Sequence, residues 1–288
     1  MTKLVVWCLG GLGNQMFQYA FYRRLQLDGA NVKLDISGFN DYELHNGFEL
    51  RRVFNVAINE AELDCIAKLK HQAGAGYLIS KICYKLKLPT SYVVQRYFNY
   101  NSKYCNFLHS RDKYLEGYWQ SEKYFGDHAN AIRDDFNFPD LDKVNTLCAT
   151  HIMQSNSVSL HVRMGDYVNH PLYGGICTLK YYQQAIELIK SKIDNPSFFI
   201  FSNDIEWCKQ NLDISNAVYV TGNNGENSFR DMHLMSLCQH NIIANSSFSW
   251  WGAWLNNNRN KIVVAPKIWF NDKSINTIDL LPENWIRL

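Results

Sequence analysis

Several absences narrow the chain before any motif is read. Eight cysteines are present but no two stand in a C-x-x-C arrangement, and the nine histidines include no H-x-x-x-H pair. A disulfide frame or a zinc site is therefore not expected, and cysteines in apolar settings such as Val6-Trp7-Cys8-Leu9 read as small core hydrophobes of a reducing compartment. No apolar run approaches the length of a membrane span. The start Met1-Thr2-Lys3 leads directly into a short strand-like run broken by glycine, unlike a signal peptide, so a cytoplasmic location is expected. Charge of one sign is lacking too: 29 basic against 27 acidic residues give a formal charge of +2, which argues against a general nucleic-acid binder. There is no G-K-[ST] of a phosphate-binding P-loop, no internal repeat and no Pro/Ser-rich linker.

What is present is a strand and helix pattern. Residues 3 to 9 read as a buried strand, Gly10-Gly11-Leu12-Gly13 as a turn, and Met16, Phe17, Ala20, Phe21 and Leu25 as one helix face. A second strand, NVKLDIS, follows Gly29, completing a β-loop-α-β opening. From about 40 to 150 the pattern weakens, and its elements cannot be ordered from sequence. From Val158 onward short apolar strands alternate regularly with helices of ten to fifteen residues, as in a parallel, doubly wound α/β sheet. A chain of 288 residues suits two lobes, with 1–155 and 156–288 expected from the change of pattern.

Ligands of such sheets bind at the carboxyl ends of the strands. In the second half those ends carry Arg163 to Asp166, Ser202-Asn203-Asp204, Thr221-Gly222 and Asn245-Ser246-Ser247. In HVRMGDY (161–167) the alternation of a strand puts His161 and Arg163 on one face, opposite Val158, Leu160 and Val162. An inward-facing arginine needs an anionic partner, and its planar fork suits a phosphate. NSSFSWWGAWL places Asn245, Ser246, Ser247 and Ser249 at a strand-to-helix junction, where hydroxyls and helix dipole favour an anion, and Phe248 is the aromatic candidate for ligand contact. One serine there is an ordinary cap; Trp250, Trp251 and Trp254 read as core. Asp231 opens a helix, with a cap as its simplest role. In the first half, Gly11 and Gly13 match only the start of a G-x-G-x-x-G turn, and no acidic ribose reader follows. That turn is either a tight strand-to-helix connection or a close approach to a pyrophosphate, with Asn14 and Gln15 adding donors. Asp140-Leu141-Asp142 fits a D-x-D pattern but follows a proline instead of an apolar strand, so a helix cap is the better reading.

Taken in order, GGLGNQMFQYAF, HVRMGDY, FIFSNDIEWC, DMHLMSLCQHNIIANSSFSWWGAWL and the Ala265-Pro266-Trp269 block resemble the α-1,2-fucosyltransferases of bacteria and animals, from about Gly10 to Trp269. The resemblance implies a GT-B-type α/β architecture of two Rossmann-like lobes, an N-terminal acceptor-side lobe and a C-terminal donor lobe, with the donor in the cleft. It implies GDP-L-fucose as donor, a galactose-terminated glycan of O-antigen or H type as acceptor, an α-linked product formed with inversion, and no metal or other cofactor. By the same resemblance Arg163 holds the departing diphosphate, His161 lies beside it, Asp231 reads guanine, and Ser246, Ser247 and Phe248 cradle phosphate and base. Ser202, Asn203, Asp204 and Asn245 complete the expected donor site, and the Gly11–Gln15 turn, with Gly13 and Asn14, faces it. Asp35, His45, Glu49 and Trp119 are the acceptor-side candidates. For the catalytic base Asp166, Glu49, Asp35 and the leaving phosphate stay open. Met164 departs from the pattern, since many relatives carry a second arginine there. A different GDP-sugar is the nearest alternative. A dinucleotide oxidoreductase and a lectin are poorer fits, the first for its missing third glycine and the second because the aromatics lie on patterned helices. The basic stretch Lys68, Lys70, Lys81, Lys85 and Lys87 is a candidate for peripheral docking on an anionic membrane.

Overall fold

A computed structural model of the chain describes residues 3–70, 91–107, 111–164 and 170–288. The chain divides into two compact units, 1–137 with 278–280, and 138–277 with 281–288. The division falls between Asn137 and Phe138, earlier than the boundary at 155 expected from the change of pattern. The reason is the helix Lys143–Met153, whose Ala149 and Ile152 join the core of the second unit beneath Phe199 and Phe201.

The first unit carries a four-stranded sheet. Strands β1 (Lys3–Trp7), β2 (Asn31–Asp35), β3 (Tyr92–Val94) and β4 (Lys113–Glu116) lie in the order β2-β1-β4-β3, all parallel. Helix α1 (Leu12–Leu27) follows β1 and is buried along most of its length, with the amides of Gln15 and Gln18 buried among its apolar side chains. Two short helices, α2 (Leu50–Phe54) and α3 (Leu63–Lys70), come next, and α4 (Ala129–Asp135) closes the unit. The stretch that sequence could not order therefore supplies β3 and β4.

The second unit carries six parallel strands: β5 (Ser157–Val162), β6 (Ser197–Ser202), β7 (Val218–Tyr219), β8 (His240–Ile242), β9 (Val263–Ala265) and β10 (Ile286–Arg287), in the order β10-β9-β8-β5-β6-β7. Its helices are α5 (Lys143–Met153), α6 (Leu179–Lys190), α7 (Ile205–Asn211), α8 (Phe229–Leu237) and α9 (Ser247–Leu255). Both faces of the sheet are covered. Val158, Leu160, Val162, Phe198 and Ile200 pack with Tyr182, Ala185 and Ile189 of α6, while Phe199 and Phe201 pack with α5 and α8. That is why the strands read as continuous apolar runs. Two Rossmann-like α/β lobes, the plan of a GT-B-type protein, are thus present, each all-parallel.

The strand orders locate the sites. In the second unit the chain runs outward from β5 through β6 and β7, then returns to β8 and runs outward the other way. The loops after β5 and β8 part at this reversal, where a doubly wound sheet opens its ligand crevice. In the first unit the chain runs from β1 out to β2, crosses to the far edge strand β3 and returns inward to β4 beside β1.

Candidate active site

HVRM and ANSSF, 80 residues apart in the sequence, emerge side by side, because β5 and β8 are hydrogen-bonded neighbours. His161 ends up on the sheet face opposite Val158, Leu160 and Val162, as alternation requires. It is buried, its ring lies 6.0 Å from that of Phe248, and its Nδ1 has no hydrogen-bond partner among the described residues. Burial first, and the charge of Arg163 second, push its pKa down to about 3, so the imidazole is neutral at physiological pH. Arg163 is half-buried just beyond the strand end, with Nε out of reach of water. Asp166 lies outside the described residues.

The other strand-mouth residues divide into those that build the mouth and those that line it. Asn203 builds: its Nδ2 donates to the Met164 carbonyl and its Oδ1 accepts the Met164 N–H, both at 2.9 Å, lacing the β5 and β6 loops together. Ser202 Oγ accepts from Asp204 N, and Asp204 caps α7 by accepting from Trp207 N at 2.9 Å. Asn245 is buried, with Nδ2 donating to the carbonyls of Tyr173 and Trp269 and Oδ1 accepting from the Cys177 thiol. Expected as donor ligands, Asn203, Asp204 and Asn245 have these groups committed to holding loops. Ser246 is the cap of α9, accepting from Phe248 N, and Ser249 turns its hydroxyl back to the Ala244 and Ser246 carbonyls. Ser247 and Phe248 are half-buried at the start of that helix.

Asp231 is not a helix cap. Ser228 precedes α8, and Asp231 stands in the first helical turn, half-buried. Its Oδ1 accepts from Asn223 Nδ2 at 2.8 Å. Burial raises its pKa to about 7, the Asn223 hydrogen bond offsetting part of the shift. Asn223 and its partner Asn145 are buried residues that sequence reading missed; they stand 78 positions apart and belong to no motif. Asp142 does cap its helix, accepting from Asn145 N at 2.9 Å, and pairs with Arg230 at 2.6 Å.

In the first unit, Gly10 and not Gly11 has the left-handed backbone, at φ +105°. A Cβ at Gly11 would lie 3.3 Å from the His45 ring, a tight contact that the glycine avoids. Gly13 lies inside α1. Gln15 is fully buried, and its side chain is wholly engaged: Nε2 donates to the Gly10 and Gly47 carbonyls and Oε1 accepts from Glu49 N. Expected to present a donor to phosphate, it clamps the 45–49 loop onto the glycine turn. Asn14 is different. Its amide meets that of Gln120, with Oδ1 accepting from Gln120 Nε2 at 2.8 Å.

Among the acceptor-side candidates, Asp35 is buried and accepts from Ser37 N, Ser37 Oγ and Tyr114 Oη. Glu49 is buried and holds Arg52 at 2.8 Å and Asn46 at 3.2 Å. Trp119 is fully buried, stacked on Phe21 at 4.3 Å, and so offers no face to a sugar. His45, at φ +61°, lies over the glycine turn beside Tyr42.

The model of glycosyl transferase family 11 matches residues 3–288. The chain belongs to this family. It is therefore an enzyme that transfers a glycosyl group, and the resemblance drawn from the motifs holds. It is 36% identical to an α-1,2-colitosyltransferase of Escherichia coli over 100% of this chain and 99% of that one. It is 33% identical to the O-antigen biosynthesis glycosyltransferase WbnK of Escherichia coli, covering 98% and 99%. Galactoside α-(1,2)-fucosyltransferase 2 of Gorilla gorilla gorilla matches at 25% over 86% of this chain and 67% of its own. The solved structure of the α-1,6-fucosyltransferase NodZ soaked with GDP-fucose matches with a TM-score of 0.48 at 14% identity, over 88% and 92%, and nothing about this chain follows from so distant a match.

Proposed function

We propose that the chain transfers L-fucose from GDP-L-fucose to O2 of a terminal galactose in an O-antigen-type glycan, with inversion to an α-linked product and without a metal. The observation that carries this reading is Arg163 at the β5/β8 reversal, beside the start of α9, in a family 11 chain. As the galactose oxygen bonds to the anomeric carbon and the bond to the β-phosphate breaks, negative charge grows on the diphosphate. A guanidinium and a helix start fixed in advance at that point act where the charge develops. The neutral His161 beneath Arg163 adds no competing charge. The galactose hydroxyl must give up its proton. With Asp35 and Glu49 engaged as described, Asp166 and the leaving phosphate are the acceptors this reading favours.

The likeness to an α-1,2-colitosyltransferase supports a second donor, a GDP-sugar that carries colitose in place of fucose. Incubation with each donor and a panel of β-galactosides, followed by linkage analysis, separates the two. An α-fucosyl group on O2 of galactose is the expected product, and an exclusive colitosyl product replaces the first reading by the second. Activity in excess EDTA is expected to be nearly unchanged; loss that Mn²⁺ restores would overturn the metal-free step. Peripheral membrane docking through the basic stretch belongs to the same proposal. Within it Lys68 and Lys70 lie on α3, Lys70 with Nζ 4.4 Å from the Tyr114 ring centre, and Lys81, Lys85 and Lys87 lie outside the described residues. Salt-sensitive co-sedimentation with anionic liposomes is the expected result, and its absence removes the docking proposal alone.

A further inference from the structure

Asp142 and Asp231 stand at the two ends of one buried hydrogen-bonded chain. Between them Asn145 and Asn223 face each other as a reciprocal amide pair, with Nδ2 of each donating to Oδ1 of the other at 3.0 and 2.9 Å. The second N–H of each amide points outward, from Asn145 to Asp142 Oδ1 at 3.0 Å and from Asn223 to Asp231 Oδ1 at 2.8 Å. All four amide N–H groups are therefore engaged. The sense of both amides is fixed as well, because a carboxylate at either end can only accept from them.

The two carboxylates nevertheless fare differently. Asp142 is exposed, caps α5 and pairs with the Arg230 guanidinium at 2.6 Å. Arg230 is the immediate sequence neighbour of Asp231, yet it is drawn to the other end. Asp231 receives one neutral amide donor, and its Oδ2 has no described protein partner. A neutral donor orients a carboxylate without cancelling its charge, whereas an ion pair would leave it little attraction for another donor. A half-buried, pinned and unneutralised carboxylate is suited to accept from a neutral ligand that offers two adjacent N–H groups.

We infer that Asn223, held in its sense by Asn145, is a positioning residue that presents Asp231 to the guanine N1–H and exocyclic amine of the donor nucleotide. This rests on the GDP-sugar reading above and adds to it the device that sets the base preference. The pair acts through Asp231 and touches no reacting atom.

The test is calorimetric binding of GDP and of IDP, whose hypoxanthine lacks the exocyclic amine, to the full chain and to two variants. Wild-type protein is expected to bind GDP at least tenfold more tightly than IDP. In Asn223→Asp, which keeps the shape but sets a carboxylate against Asp231, that preference is expected to fall to within about twofold of unity. In Asn145→Ala, which removes both hydrogen bonds that anchor the far side of the Asn223 amide, it is expected to fall by about threefold. Thermal midpoints without ligand establish that each variant is folded, and if Asn223→Asp does not fold, Asn145→Ala decides. A purely structural role would lower the midpoint and leave the GDP-to-IDP ratio unchanged, and that result in a folded variant overturns the inference. Wild-type protein that binds GDP no better than IDP overturns the reading of Asp231 as well, which separates the two failures.

Discussion

The two sheets are both all-parallel but use the polar residues near their carboxyl edges differently. In the first unit, Gln15, Asp35 and Glu49 are buried and engaged with the backbone or with other side chains, and Trp119 is core. At the β5/β8 reversal of the second unit, Asn203, Asn245 and Ser246 do the equivalent work of lacing loops and capping. Above that laced base the second unit keeps Arg163, Ser247, Phe248 and Asp231 half-buried at the mouth. The first keeps Asn14 half-buried and His45 exposed. A polar side chain at a strand mouth is thus as often the rivet that shapes the crevice as the group that meets the ligand. Under the proposed function, the charged groups left partly open over a riveted base are the donor end.

The largest effect that separates the two edges is expected at Arg163. Arg163→Lys keeps the charge but loses the planar two-donor contact with a phosphate, and turnover should fall by on the order of a hundredfold or more. Steady-state kinetics on the folded variant check this, and near-normal turnover removes Arg163 from the transition state.

Next is Asp231→Asn, expected to weaken GDP binding by on the order of 2 kcal/mol, since an NH₂ group then faces a base N–H. The same carboxylate sets a pH dependence. Binding needs the ionised form, so GDP affinity of the wild type should fall as pH drops below about 7, and the variant should lack this decline. Titration calorimetry across pH 5.5 to about 8.5 measures both.

Gln15→Leu sharpens the comparison from the other side. It removes three hydrogen bonds of the first unit, and a stability loss on the order of 1 to 2 kcal/mol is expected, with GDP affinity close to wild type. Denaturant unfolding and calorimetry together check it; a selective loss of GDP binding would return Gln15 to the donor site.

The smallest effect is on stability against pH. Asp231 has a raised pKa in the folded protein, so its contribution is fully present below about pH 4 and is lost as pH rises through about 7. His161 has a lowered pKa, so its contribution is present above about pH 6.5 and is lost as pH falls toward about 3. The two slopes oppose each other between pH 4 and 6.5. Asp231→Asn should therefore unmask a loss of stability on acidification, and His161→Gln a loss on alkalinisation, both visible in melting curves of the unliganded protein.

Much of the second unit was legible in the sequence because its strands are buried on both faces and its helices are regularly spaced. Arg163 and the NSSF junction could be picked out since charge and hydroxyls interrupt apolar runs. The amide contacts could not. Gln15 meets Gly47 across 32 positions, Asn203 meets Met164 across 39, and Asn145 meets Asn223 across 78, and no local pattern encodes such pairs. Amides at strand ends therefore read as ligand groups, and their loop-holding hydrogen bonds are not visible in the sequence. Strands β3 and β4 escaped notice because three or four residues flanked by irregular chain give no periodicity, and Trp119 could not be seen as core without the close stack on Phe21.

The most direct test of where the donor lies is a crystal structure of the chain with GDP. The account expects the diphosphate at the mouth between β5 and β8, within hydrogen-bond distance of the Arg163 guanidinium and beside Ser247, with guanine on Asp231. A diphosphate resting instead on the Gly10–Asn14 turn of the first unit, with Arg163 uninvolved, would contradict it.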